Sequence, residues 1–523
     1  MTQVTDQVTD QATVAASGGA AAGFTPSRGS PVRRWELAAL AGIVITFGVI
    51  GAAMIERAEP LGHDEAVYAL QARRLAGIPA EGAFWAPYRA PGLPALISIG
   101  LRVNDGDFVA RGIPLLLAVG VVVLTWAYAR HLLGPPAGLV AAGLVAATPG
   151  FLRWSWQIGV DIPGTFFGLA AILAFLRATS GERVSRWAYL SIPLGLAAAY
   201  TRFGAPILVA SGMTVIALVR WRVVRGSPTR TAIVAVGTAL AMGAVLYLPF
   251  MTGSDTAPAR AFGERQVAKD LPFWQSYADF AGEAPGLFGP VVAPLVAFGL
   301  ALAIWAAARR RIPARAAVIA GATFLVFFVG LNHGLAQGFE QYLTPAVPFL
   351  AALAAAGLTQ VRLRRQVMRL SIVLVSLLAF GWAAASSNGT ADLLGRRFTA
   401  LRSAAVRTGA GLEHPCVVLT SYVSQIGWYS RCAAYPLPGY TGAQSEPHDA
   451  AEARAVLAQI PTLYASPFPP DAPAAILLAK GGKRQPNELM MAAFETVIEQ
   501  RLLTVGNPQY GRLLYITVDL LRL

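Results

Sequence analysis

The residues most able to do chemistry are acids and arginines placed at the ends of apolar segments. Asp64 and Glu65 stand side by side in LGHDEAVYALQARRLAG, directly after the first long apolar run ends near Ile55. A carboxylate at an apolar boundary is partly desolvated, which raises its pKa and makes it a better acceptor for the proton of a hydroxyl nucleophile. The same pair equally fits the first turn of an interfacial helix, where acids oppose the helix dipole. Asp161, in SWQIGVDIPGTFFGLAAI, heads an otherwise apolar stretch. An acid at that depth faces a cavity or a partner more often than lipid; the alternative is a helix start capped by Asp161, with Pro163 in its first turn. Arg89 in PYRAPGLP, Arg202 in AAAYTRFGAP, and Arg73 with Arg74 one helical stretch past the acids offer planar donor forks that match a phosphate. Each alone also reads as an interfacial anchor or a salt-bridge partner. Together they describe acid/base chemistry beside an anion site.

These residues need a frame, and composition says which. Of 523 residues 55% are hydrophobic and only 13% charged, with mean hydropathy +0.52, which excludes an ordinary soluble protein. Several stretches reach the roughly 20 apolar residues that cross a hydrocarbon core as a helix. Residues 1–31 are polar, small and without apolar periodicity, and read as a disordered cytoplasmic tail. The run from Trp35 to Ile55 is too long and too far from the start for a signal-peptide core and reads as a first span. Further spans are expected near 108–129, 136–150, 162–176, 187–201, 205–219, 231–250, 287–308, 316–331, 343–360 and 370–386, about eleven in all. Pro91 to Val103 is apolar but short and holds two prolines, so it is expected as a re-entrant or interfacial helix.

The arginines set the orientation. With the amino terminus inside, the inward connections carry Arg130; Arg177, Arg183 and Arg186; Arg220, Arg222, Arg225 and Arg230; Arg309, Arg310, Arg311 and Arg315; and Arg362, Arg364, Arg365 and Arg369, opposed by Glu182. Outward loops mix signs, the asymmetry the positive-inside rule describes. The formal charge of +14 is therefore a topology signal and not a nucleic-acid footprint, since no single basic face forms. This division gives a transmembrane domain over 32–387, with a first outer loop at 56–107, and an external soluble domain over 388–523. Short apolar runs such as CVVLTSY, AAILLAK and LLYITVDLL, separated by helical stretches at 449–460 and 487–501, mark that domain as a small α/β unit. The fold class is thus mostly α, a polytopic helical membrane protein with a small external α/β domain. Cys416 and Cys432, the only cysteines, lie outside, where they are either a disulfide or two buried thiols. No P-loop, dinucleotide fingerprint, paired-His signature, zinc spacing or hydrolase elbow is present. His63 is the sole histidine of the first loop, so neither a metal nor another cofactor is expected.

An early span, an outer-loop Asp-Glu pair, then RAPGLPALIS, DFVARGIP, GVDIPGTFF, the TRFG turn and QYLTPAVPFLAAL, in that order over roughly 35–390, resemble the GT-C membrane glycosyltransferases. Within them the resemblance is to the protein O-mannosyltransferase and aminoarabinose lipid A transferase group. CVVLTSYVSQIGWYSRCAAYPLP looks like the soluble tail many such enzymes carry. The resemblance implies transfer of a sugar from a polyprenyl-phosphate carrier to a lipid, glycan or protein acceptor outside the cell, usually with inversion. It implies Asp64 as general base, Glu65 and Asp161 shaping the site, and Arg89 and Arg202, with Arg74 nearby, holding the donor phosphate. The chain departs from the pattern at RAPG, which lacks a second adjacent proline, and at Glu340-Gln341 before Tyr342, where relatives often have Arg. A transporter or lipid-phosphate flippase is the competing class, and would place ionisable groups at mid-membrane; a non-catalytic envelope receptor is a third.

Overall fold

The computed structural model describes residues 32–57, 60–80, 89–247, 273–309, 312–334, 340–360, 378–386, 401–412, 414–420, 422–436, 449–458, 474–480, 505–507 and 511–518, with 389, 399 and 492 as single positions. The tail 1–31, all of 361–377 and, apart from 492, the expected helix at 487–501 fall outside these residues. The described chain is mostly helical. Among the described residues five helices are long and apolar enough to cross a bilayer: Arg34–Arg57 (α1), Asp107–Leu133 (α4), Asp161–Ala178 (α7), Tyr277–Ala308 and Glu340–Leu358. Between α1 and α4 lie the short helices α2 (His63–Ala76) and α3 (Gly92–Leu101). At ten residues α3 spans only about 15 Å, half a hydrocarbon core, as its two prolines suggested.

Two expected spans take a different shape. The stretch 136–150 divides into α5 (Pro135–Ala146) and α6 (Pro149–Ser155), bent by 67°. Pro149 cannot donate an N–H to the preceding turn, so the helix stops and restarts in a new direction. The stretch 187–201 is a 3-10 turn, Arg186–Leu190, followed by α8 (Ser191–Thr201), which has only eleven residues. It is shorter than a crossing needs. The expected span 287–308 extends back to Phe273 across a break at Gly289, whose φ of 65° is open to glycine at no steric cost and is followed by Pro290. The helix α9 (Ala205–Val219) and the stretch Arg315–Gly330 are shorter apolar helices, and of 370–386 only 378–386 lies within the described residues, as helix.

The core fills the space between these helices with Phe47, Tyr128, Phe151, Phe349 and a carpet of alanines, Ala351, Ala352, Ala354 and Ala355 among them. At one end of the bundle Glu36, fully buried at the start of α1, takes Arg130 of α4 at 2.9 Å. Beyond residue 400 the described strands form one five-stranded sheet in the order β2-β1-β3-β5-β4, with β1 Val417–Thr420, β2 Ala433–Pro436, β3 Ala474–Lys480, β4 Val505–Asn507 and β5 Gly511–Val518. The three apolar runs singled out above are β1, β3 and β5. β1 runs parallel to β2 and β3, and β5 runs antiparallel to β3 and β4. The link from β1 to β2 is a helix, Val423–Ser430, which packs on α2.

Candidate active site

The acidic pair opens α2, and helical geometry separates its members. Consecutive residues point about 100° apart around a helix of 3.6 residues per turn, so one acid faces out while the next faces the bundle. Asp64 is the outward one, its side chain 73% exposed, and Arg89 Nη2 reaches its Oδ1 at 2.8 Å. Glu65 is the inward one. Its carboxylate accepts from Arg111 Nε and Nη2 at 2.9 and 2.8 Å, from the Gly62 N–H at 2.9 Å and from the Ile158 N–H at 3.0 Å. Burial alone would push the Glu65 pKa up, but the Arg111 charge and these hydrogen bonds hold it below the ordinary carboxylate range. The desolvation expected of the pair therefore falls on Glu65 and not on Asp64. Glu65 ties α2 to α4 and to the turn before α7, which makes it a pin for the helix that carries Asp64.

The arginine turns reach Asp64 because glycines let backbones touch. A Cβ on Gly92, the first residue of α3, would stand 2.6 Å from the Tyr200 carbonyl oxygen, so α3 lies directly on the end of α8. Ala90, Ala199 and Phe203 close the same contact. Arg202 has extended backbone, φ −153° and ψ 120°, which ends α8 and turns the side chain toward α7. There its Nη1 lies 2.5 Å from Asp161 Oδ1, and both side chains are buried. A Cβ on Gly164, one turn along α7, would sit 2.9 Å from Arg202 Cβ, so only glycine admits the arginine. The N-cap of α7 is Val160 and no side chain caps it; Asp161 engages Arg202 instead, and the capping alternative is set aside. Arg202 also lies 5.2 Å over the Tyr342 ring, within cation–π range.

Tyr68 joins the two ion pairs. It lies one turn along α2 from Asp64, buried, with the Arg89 guanidinium 5.3 Å over its ring. Burial pushes its phenol up to about 12, and the charges that act on it are Arg89, Asp64 and Asp161. Asp64, Arg89, Tyr68, Asp161, Arg202 and Tyr342 thus form one cluster. Arg74 stands apart, exposed in the last turn of α2, about 15 Å along the helix from Asp64. Its neighbour Arg73 is buried against the helix Val423–Ser430. Glu340, one of the residues at which the chain departs from the family pattern, is ion-paired with Arg153 of α6. Cys416 and Cys432 are joined in a disulfide. Among the described residues they and His414 form the one grouping with metal-ligand spacing, and the bonded sulfurs offer it no thiolate.

Most of the chain aligns with the crystal structure of ArnT from Cupriavidus metallidurans bound to undecaprenyl phosphate. The TM-score is 0.61 at 14% identity, covering 92% of this chain and 98% of that one. This is the GT-C glycosyltransferase fold. The GT-C likeness extends to the apo Archaeoglobus fulgidus oligosaccharyltransferase, with TM-score 0.53 and 14% identity over 85% of this chain and 69% of that one. It also extends to the arabinofuranosyltransferase AftD from Mycobacteria, with TM-score 0.51 and 16% identity over 94% and 42%. The model of the dolichyl-phosphate-mannose-protein mannosyltransferase family matches residues 88–248, which hold Arg89, Asp161 and Arg202. No curated protein sequence matches the chain.

Sequence reasoning passed over Tyr68, Arg111 and Arg153. Tyr68 carried a usable signal, four residues from Asp64 and therefore on its helix face. So did Arg111, an arginine inside an apolar span, which calls for a buried partner. Arg153 carried none, because its partner is 187 residues away.

Proposed function

We propose that this protein is a membrane glycosyltransferase that moves a sugar from a polyprenyl-phosphate carrier to an acceptor on the outer face of the cytoplasmic membrane. The observation that carries the reading is the cluster itself: an exposed carboxylate, Asp64, held beside Arg89 and next to the buried Asp161–Arg202 pair, on the fold of a transferase crystallised with undecaprenyl phosphate. Asp64 is the general base. It takes the acceptor hydroxyl proton as the acceptor oxygen bonds to the anomeric carbon, the carbon–phosphate oxygen bond breaks, and the carrier phosphate departs as an anion. That leaving group is already stable as an anion, so two guanidiniums suffice to meet it. The geometry also suggests an order of events. Arg89 is occupied by Asp64 before the donor arrives, and a donor phosphate that draws Arg89 away releases the base. Asp161 holds Arg202 in place, and attack from the face opposite the phosphate inverts the anomeric centre.

The same reading puts the amino terminus inside, and the sheet after residue 400 outside as a small α/β domain. The disulfide supports this, because such bonds persist in oxidising compartments. Purified protein supplied with defined polyprenyl-phosphate sugars tests the function. Wild type should transfer sugar and Asp64→Asn should not; undiminished transfer by that variant would remove Asp64 from the mechanism. Arg89→Ala and Arg202→Ala should each weaken binding of undecaprenyl phosphate.

A further inference from the structure

The helix Val423–Ser430 touches both ends of α2 through two consecutive residues. Tyr429 Oη accepts from the Leu61 N–H at 2.6 Å, immediately before α2, and donates to Asp107 Oδ2 at 2.7 Å, at the start of α4. Trp428 Nε1 donates to the other oxygen of the same carboxylate at 2.6 Å. At the far end of α2, Arg73 Nη1 donates to the Trp428 carbonyl at 2.7 Å, and its guanidinium lies 3.3 Å from the centre of the Trp428 ring. Arg73 Nε donates to Asp105, which also holds Arg431. Apart from the exposed Arg431 and the partly exposed Asp105, these groups are buried or nearly so, where an unsatisfied donor or acceptor is costly, so their bonds are made together or the contact opens.

The disulfide closes the base of this device. β1 and β2 are parallel with Val417 opposite Ala433, so Cys416 and Cys432 sit side by side just before the two strands. The bond thereby encloses the crossover that bears Trp428 and Tyr429. Arg431, between helix and bond, has a φ of 64° that a non-glycine residue adopts only where its surroundings hold it.

We propose that this crossover is a latch that sets the position of α2, with Tyr429 and Asp107 as positioning residues for Asp64, and that the Cys416–Cys432 bond keeps the latch engaged. The role assigned to Asp64 rests on the function proposed above; the latch itself does not. Tyr429 stays a donor because burial holds its phenol well above the ordinary tyrosine range.

Hydrogen–deuterium exchange on the full chain in nanodiscs tests the latch without any sugar chemistry. In Tyr429→Phe, and separately in wild type after reduction, amides of residues 61–76 should exchange about tenfold faster while α7 is unchanged. Unchanged exchange in α2 under both conditions overturns the latch, and reduced wild type serves if the variant does not fold. With transfer measured, Tyr429→Phe should lower kcat about tenfold at unchanged KM and should cost nothing further in an Asp64→Asn background. Losses that multiply would show that Tyr429 does not act through Asp64. Absence of transfer by wild type, with faster α2 exchange in the variant, would sink the proposed function and leave the latch standing.

Discussion

The two sides of α2 treat neighbouring carboxylates in opposite ways. On the open side Asp64 is exposed and ion-paired with Arg89. On the closed side Glu65 has two contacts from Arg111 and two from backbone N–H groups, in a setting shared with Trp156 and Asp107. An exposed ion pair is worth little to stability, typically under about 1 kcal/mol, whereas removing one partner of a buried pair costs about 3–5 kcal/mol. The proposed chemistry needs the first kind of acid and architecture needs the second. One residue of helical twist supplies both.

Four substitutions and one titration probe that contrast. The largest expected effect is on Asp64: Asp64→Asn should lower kcat for sugar transfer by about 10²–10⁴-fold, the usual contribution of a general base, with the thermal midpoint unchanged. A matching fall in thermal midpoint would put Asp64 on the structural side. Glu65→Ala should do the reverse in kind. It leaves Arg111 charged and buried, and should lower stability by about 3–5 kcal/mol, read from denaturant or thermal unfolding in detergent. Gly92→Ala comes next, since its Cβ would strike the Tyr200 carbonyl; separation of α3 from α8 should reduce kcat/KM about 10- to 100-fold through misplacement of Arg89. Full activity in Gly92→Ala would show that the close approach does not position the site.

The titration follows from Glu65. Its pKa is lowered on folding, so the stability it adds is complete above the ordinary carboxylate range and is lost as pH falls through and below that range. Unfolding measured from pH 7 downward should show this acid loss in wild type and a flatter profile in Glu65→Gln. The smallest effect belongs to Arg74→Ala, which should leave transfer within about twofold, because Arg74 is exposed and distant from the cluster. A tenfold loss there would restore Arg74 to the phosphate site.

Much of the site was legible before any coordinates. Asp64, Arg89, Asp161 and Arg202 stand out because charge next to long apolar runs is rare, and the structure gathers all four. The three short apolar runs marked where β1, β3 and β5 lie, but nothing in them gave the strand order. The division between Asp64 and Glu65 was less legible, because adjacency in sequence says nothing about which direction is buried. The clamp on α2 was not legible at all: Trp428 and Tyr429 reach Asp107 across 321 and 322 residues.

The sequence by itself determined that the chain is a bundle of apolar helices with acids and arginines at their ends. Hydropathy, helix length and the cost of bare charge in lipid are local properties that a linear reading can sum. The tertiary structure decided which acid stays exposed, which arginine each acid meets, and that a helix much later in the chain, Val423–Ser430, grips α2. Those outcomes depend on backbones approaching within a few ångströms, at Gly92 and Gly164 above all, and such contacts are made by folding and not by spacing.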